Sequence, residues 1–213
     1  MPLSVNPLPV HSLGHENALI QVRRIEHNNP YDFTREHRHT YFEIFFFETG
    51  GGSQFIDFID HPVKAHSCYV VFPQQIHLMK RIPEATGRLV QFGEEIITSL
   101  QLRTILQQHF FSETPAIIFE NDLDKFIQMK AVLDLLQDAS IKPTINAREI
   151  SLFYLQALLL QLLEGMAPGG ELSLSGERKL LFEFQQQLEM QFRDNHQVSK
   201  YASTLNTTEK KLA

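Results

Sequence analysis

The stretch that decides the fold is His37-Arg38-His39-Thr40-Tyr41-Phe42-Glu43-Ile44-Phe45-Phe46-Phe47-Glu48-Thr49-Gly50-Gly51-Gly52. In an extended chain successive side chains alternate between faces, so His37, His39, Tyr41, Glu43, Phe45 and Phe47 share one surface. Phe42, Ile44 and Phe46 occupy the other. A strand from Tyr41 to Glu48 is therefore apolar on both sides and has to be covered on both, as in a closed barrel with something packed outside it. Gly50-Gly51-Gly52 supplies a turn needing positive φ, after which Ser53 to Asp60 returns as a strand. Asp60-His61-Pro62 turns again, and Cys68 to Phe72 reads as a strand that Pro73 ends. His77 follows closely enough to be carried to the same hollow. Imidazoles and a carboxylate converging on an aromatic-lined cavity are what a small-molecule site requires.

Upstream, residues 1–17 hold Pro2, Pro7 and Pro9 and read as an irregular arm. Leu19-Ile20-Gln21-Val22 with Ile25 forms a first strand, stopped by Asn28-Asn29-Pro30. Downstream, Arg88 to Phe92 is one more strand, and many short strands between turn signals indicate a sandwich or barrel. The character changes after Gly93. The spacing of Ile97, Leu100, Ile105 and Leu106 predicts a helix over 94–111, and Ala116 to Phe119 a strand closing back on the barrel. Leu123 to Leu136 is an amphipathic helix begun at the acidic Asn121-Asp122, and Lys142-Pro143-Thr144 breaks it. Ile145 to Leu163 is a helix apolar almost all round, hence buried against several neighbours.

The stretch 168–176, with Pro168, Gly169 and Gly170, reads as a linker. Beyond it Leu181, Phe184, Leu188 and Phe192 make a single apolar stripe, suited either to packing on its own domain or to a dimer contact. A short helix from Val198 to Leu205, the turn Asn206-Thr207 and a helix start at Thr208 resemble the core of a helix-turn-helix. The sequence stops at Ala213, before that second helix is complete.

The 213 residues, 43% hydrophobic and 21% charged, fit an ordinary globular chain with one large or two modest domains. Net charge is −6, and the four Lys/Arg against two acids from Arg193 onward leave −8 on everything before it. The body is thus unsuited to phosphate backbones, and only the tail is a candidate for nucleic acid. Cys68 is the single cysteine, which excludes an internal disulfide and a thiolate zinc cluster. The N-terminus has no basic region followed by an apolar run, and Leu152 to Leu163 is too short for a membrane span. A reducing cytoplasm, with no membrane partner, is the implied setting.

Taken in order, His37-x-His39 and Glu43, the aromatic strand, the glycine turn, Val71-Phe72-Pro73-Gln74-Gln75-Ile76-His77 and Gln91-Phe92-Gly93 resemble the AraC family of bacterial transcription regulators. The tail from Val198 to Leu212 looks like the opening of that family's DNA-binding domain. The resemblance implies an α+β chain: a cupin-like β-barrel (jelly roll) at the N-terminal side, an α-helical connector, then a truncated helix-turn-helix. On that reading 1–17 is the arm, 18–120 the effector-binding barrel, 121–167 the connector and dimerisation helices, and 177–213 the start of the DNA reader. It also implies a non-enzymatic, homodimeric regulator that takes a small-molecule effector and reads DNA. The effector would contact His37, His39, Tyr41, Glu43, Phe45 and His77, and Thr208, Lys210 and Lys211 would approach DNA.

Metal-binding cupins use a His-x-His, a later glutamate and a histidine from another strand, which His37, His39, Glu43 and His77 match. Such a set suits zinc, nickel, manganese or iron. The glycine usual before His-x-His is absent, and Pro73 to His77 is one residue short of the usual second motif. No cofactor is therefore expected of the regulator. A metal-dependent dioxygenase or isomerase is the alternative reading of the same residues.

Overall fold

β4 (Phe42–Phe47) is buried along its whole length and is the spine of the molecule. This computed structural model describes residues 8–13, 20–25, 35–80, 82–97, 99, 102–103, 106, 116–119, 121–142, 144–166 and 176–212. β4 lies at the centre of a five-stranded antiparallel sheet with β2 (Ile20–Arg24), β7 (Ser67–Val71), β9 (Gly87–Phe92) and β10 (Ala116–Ile118), in the order β10-β7-β4-β9-β2. A second sheet has the order β6-β5-β8, from β5 (Ser53–Ile56), β6 (Ile59–Pro62) and β8 (His77–Lys80). β1 (Val10–His11) pairs in parallel with β3 (Arg38–His39).

The two faces of β4 serve two cores, as its alternation requires. Phe45 and Phe47 pack with Tyr69, Val71, Leu89, Ile56 and Met79 between the sheets. Phe42, Ile44 and Phe46 pack outward with Val70, Val90 and Phe92 against the helices. Burying each such side chain contributes roughly 1.5–3 kcal/mol, so neither face could be left to solvent. At the edge of β4, Gly87 stands where an added Cβ would overlap the carbonyl of Phe46.

The outer cover is a helical hairpin, α1 (Leu123–Ile141) and α2 (Ala147–Met166). Asp122 caps α1 by accepting from the Lys125 amide. The ion pair of Lys125 with Glu164 joins the start of one helix to the end of the other. Met129, Leu133, Leu136, Leu155, Leu158 and Leu162 bury their side chains between hairpin and sheet. α3 (Gly176–Gln191), α4 (Val198–Thr204) and α5 (Glu209–Leu212) follow. Tyr201 of α4 donates to the Asn195 carbonyl, and Phe184 of α3 meets its ring edge-on at 5.6 Å. Asn206, at φ 49°, makes the turn between α4 and α5.

Four expectations are corrected. Ser53 to Asp60 is two strands, because Asp57 and Phe58 turn with φ of 44° and 73°. The Asp57 carboxylate accepts from the Ile76 amide and from Gln75, a long-range anchor no local pattern displays. Asp60-His61-Pro62 accordingly belongs to β6, an edge strand where proline is tolerated. Residues 8–13 of the arm include a strand, since the amides of Arg38 and of Thr40, just after β3, donate to the carbonyls of Pro9 and His11. Glu94–Ile96 is a 3-10 turn rather than the opening of an α-helix; much of 94–111, Asn28-Asn29-Pro30 and most of 168–176 lie outside the described residues.

Candidate functional site

Three strands bring the polar side chains to one end of the barrel. β3 carries His39, β4 begins one residue before Glu43, and β8 opens with His77. His37 and His77 exchange backbone hydrogen bonds of 3.1 and 3.0 Å, which sets β8 against the start of the motif. Gln74, at φ 68°, makes the tight loop after β7 that lets His77 re-enter the fold.

His39, Glu43 and His77 converge, with relative exposures of 0%, 3% and 1%. Glu43 Oε2 lies 3.4 Å from His39 Nε2 and 3.5 Å from His77 Nε2. Each residue of the three offers one donor atom within 4.8 Å of the others. Both Nε2 atoms are buried and have no hydrogen-bond partner, the position in which an unpaired polar group is most costly.

A set of neighbours orients these groups. His39 Nδ1 sits 2.5 Å from the Tyr41 carbonyl, and the two rings stack at 4.4 Å. Gln91, opposite Glu43 in the β4–β9 register, donates to Glu43 Oε1 at 2.7 Å. The Gln54 amide nitrogen stands 3.4 Å from His77 Nδ1. Burial by itself would raise the Glu43 pKa, but the neighbouring His39 and His77 imidazoles, with the Gln91 amide, outweigh it and hold the carboxyl at about 2. Desolvation drives His77 down to about 3 against the opposing pull of Glu43.

His37 stands one step outside the trio. Its ring is 4.3 Å from that of His77 but 6.5 Å from that of His39. Its Nδ1 is 3.1 Å from the Arg35 carbonyl, and the His11 ring of the arm meets it edge-on at 5.2 Å. Burial, as the largest influence, lowers its pKa. Phe45 lies below, 6.3 Å from the His77 ring, at the top of the apolar filling. Of the residues singled out from sequence, the structure thus joins His39, Glu43 and His77 directly and sets Tyr41, Phe45 and His37 around them.

Gln54, Gln91 and His11 were not singled out. Gln91 was legible only through cross-strand register, and Gln54 only as a polar residue in a strand whose pairing with β8 was unknown. Two partnerless nitrogens and a carboxylate oxygen, mutually close, fit a divalent zinc, nickel, manganese or iron ion. At the other end of the chain Thr208, Lys210 and Lys211 are exposed at the start of α5. Lys211 and Leu212 line a hollow of about 250 Å³ with Glu177, Leu180, Leu181 and Phe184 of α3.

Among the described residues no helix is long and apolar enough to cross a membrane. The chain resembles the solved AraC-like transcriptional activator CuxR at 8% identity, with 81% of this chain and 59% of that one covered and a TM-score of 0.44. It resembles ToxT from Vibrio cholerae at 11% identity, covering 91% of this chain and 74% of that one, with a TM-score of 0.38. A cupin protein from Bacteroides fragilis is similar at 14% identity over 38% of this chain and 69% of its own, with a TM-score of 0.28. No curated protein matches by sequence. The model of the AraC-like ligand binding domain matches residues 19–181, which takes in both sheets, the polar cluster and the helical hairpin. The chain belongs to the AraC-like ligand-binding domain family.

Proposed function

We propose that this chain is the sensing part of a homodimeric transcription regulator, and that a small-molecule effector binds at the polar end of its barrel. The observation that carries this reading is the polar cluster itself. Glu43, His39 and His77 are held by Gln91, Tyr41 and Gln54 over an aromatic filling, a cost in desolvation that the fold alone does not require. His37, Tyr41 and Phe45 complete the contacts. The barrel within 18–120 senses, the hairpin within 121–167 relays and dimerises, and 177–213 begins the DNA reader.

β1 lies directly on β3, the strand that supplies His39. An effector that binds one arrangement of arm and barrel better than another shifts the population between them, and with it the presentation of the DNA-reading helices. Thr208, Lys210 and Lys211 then contact phosphates or base edges. Lysines at a helix N-terminus oppose the dipole, so a phosphate gives them a better reason to be there than helix stability does.

The test is operator affinity of the whole regulator with and without a ligand found to bind this chain. Binding through a coupling free energy of 1–3 kcal/mol changes DNA affinity about 5- to 150-fold; equal affinity in both states ends the sensing role. A metal-dependent enzyme is the second reading, favoured by the two partnerless Nε2 atoms. Turnover of a substrate by metal-loaded protein, abolished in His39→Ala, would establish it.

A further inference from the structure

We infer that the effector taken at the polar end of the barrel is a small organic amine, bound as its primary ammonium ion, with Glu43 Oε2 and His39 Nε2 accepting its N–H groups and Gln54 Oε1 accepting a second donor on the same molecule. The inference rests on the proposed reading of this end as the effector site, and names the chemical class that the site selects.

The cluster holds more acceptors than donors. A backbone carbonyl only accepts, so His39 Nδ1 beside the Tyr41 carbonyl bears the hydrogen, and Nε2 of the neutral ring is a bare acceptor. It faces Glu43 Oε2 at 3.4 Å, acceptor against acceptor, with both side chains buried. The Gln54 amide nitrogen lies on His77 Nδ1, which directs the hydrogen of His77 Nε2 toward Glu43 and leaves Gln54 Oε1 buried without a partner. Turning that amide over moves the vacant acceptor to His77 Nε2 and strands a buried amide hydrogen instead, so it gains nothing. A proton shared between His39 and Glu43 quiets their one contact and leaves Gln54 Oε1 as it was.

The charge of the site is equally one-sided. Gln91 donates to Glu43 Oε1 and leaves Oε2 to the centre. The nearby cations are turned elsewhere: Lys80 is tied to Asp60 with its side chain 54% exposed, and Arg38 has the opposite parity to His39 in β3. A carboxylate or phosphate effector would set its charge against Glu43 where water is excluded, whereas a primary ammonium brings three donors, no acceptor and one positive charge. Phe45, Ile56 and Met79 of the inner core offer its hydrocarbon part an apolar bed. Gln54 Oε1 belongs to the Nδ1 side of the His77 ring and Glu43 to the Nε2 side, so one molecule lying along that ring meets both. The outer side of His77 is covered by the His37 ring and then by His11 of the arm, so entry of the amine involves the strand that the proposed sensing mechanism moves.

The experiment uses the whole chain, treated with a chelator and kept in a buffer free of amines, and follows calorimetric binding and melting temperature. Butylamine and benzylamine should saturate at one per chain and raise the melting temperature, while benzyl alcohol and benzoate should do neither. Benzyltrimethylammonium, which keeps the charge but has no N–H, should bind about tenfold or more weakly than benzylamine. Glu43→Gln should lower amine affinity about 30-fold or more. In a series of amino alcohols of two to five carbons, the best should bind about 2- to 10-fold tighter than the matching alkylamine, and Gln54→Leu should remove that gain. Failure of every amine to bind the folded wild-type chain overturns the inference and needs no variant. A quaternary ammonium bound as tightly as its primary counterpart overturns the hydrogen-bonded head, and an amino-alcohol gain that survives Gln54→Leu overturns the role of Gln54. Benzoate or benzyl alcohol binding that vanishes in Glu43→Gln overturns the ammonium class and leaves the sensor reading standing. If a wider screen of anionic, neutral and cationic organic molecules finds none that binds, both readings fall.

Discussion

His77 concentrates the chemistry of this protein in one side chain. Its imidazole is ordinarily protonated below 6.5, and burial lowers that to about 3 in the folded chain. A depressed folded-state pKa contributes stability that is fully present above pH 6.5 and is lost as pH falls toward 3, because the unfolded chain takes up the proton first. Glu43, lowered from 4.5 to about 2, contributes in the same sense over the lower window. Between pH 6.5 and 4.5 the lowered histidines, His77 with His37 and His61, are active, and each proton bound preferentially by the unfolded chain costs up to about 1.4 kcal/mol per pH unit. Stability of metal-free protein by urea titration should therefore fall across that interval, and His77→Gln should have a flatter profile there. An unchanged slope in the variant removes His77 as its source.

At the scale of elements, the contact that ties barrel to hairpin is asymmetric. Arg88 of β9 pairs with Asp134 of α1, the arginine side chain being 15% exposed and the aspartate 48%. Lys130 joins Asp134 at 3.6 Å and Glu48 at the end of β4 at 3.9 Å. Removing the acid strands a largely buried guanidinium, whereas removing the arginine leaves a half-exposed carboxylate that keeps Lys130. Asp134→Ala should thus cost about 2–3 kcal/mol and Arg88→Met about 1 kcal/mol or less, by chemical denaturation. The opposite order would show that the guanidinium finds water when its partner is gone. Arg88 stands opposite Phe46 in the β4–β9 register, on the strand that carries Glu43.

For the whole molecule, the proposed homodimer needs a surface for a second copy. α2 buries Leu155, Leu158 and Leu162 inward yet exposes Ile150, Phe153 and Leu160 on its other side, with Phe153 at 71%. An exposed apolar row at helical spacing is suited to covering by a partner. In the α3 stripe Phe184 already packs on Tyr201, so part of it is spent within the chain. If the homodimer uses α2, Phe153→Asp should move the chain from dimer to monomer in sedimentation, while Leu188→Asp on α3 should not. A dimer that survives Phe153→Asp and dissolves with Leu188→Asp would assign the interface to α3 instead.

How much of this was legible beforehand follows from the range of each interaction. Alternation in Phe42 to Phe47 needs only neighbours along one chain, so the two-faced strand, its burial on both sides and the gathering of His39 and Glu43 were readable directly. The turn after Glu48 was readable for the same reason, whereas α2, expected to be buried against several neighbours, is buried on one side and exposes Ile150, Phe153 and Leu160 on the other. The pairing of β8, the turn at Asp57-Phe58 and the seat of β1 were not, because each depends on partners far away in sequence. The same holds for the division of labour among the imidazoles. The spacing of His37, His39, Glu43 and His77 treats them as equals, but cross-strand register and hydrogen bonding decide that three meet and the fourth turns toward the arm. Sequence by itself determined which groups could form a site; only the tertiary structure decided which of them do, since side-chain alternation is a local property and register is not.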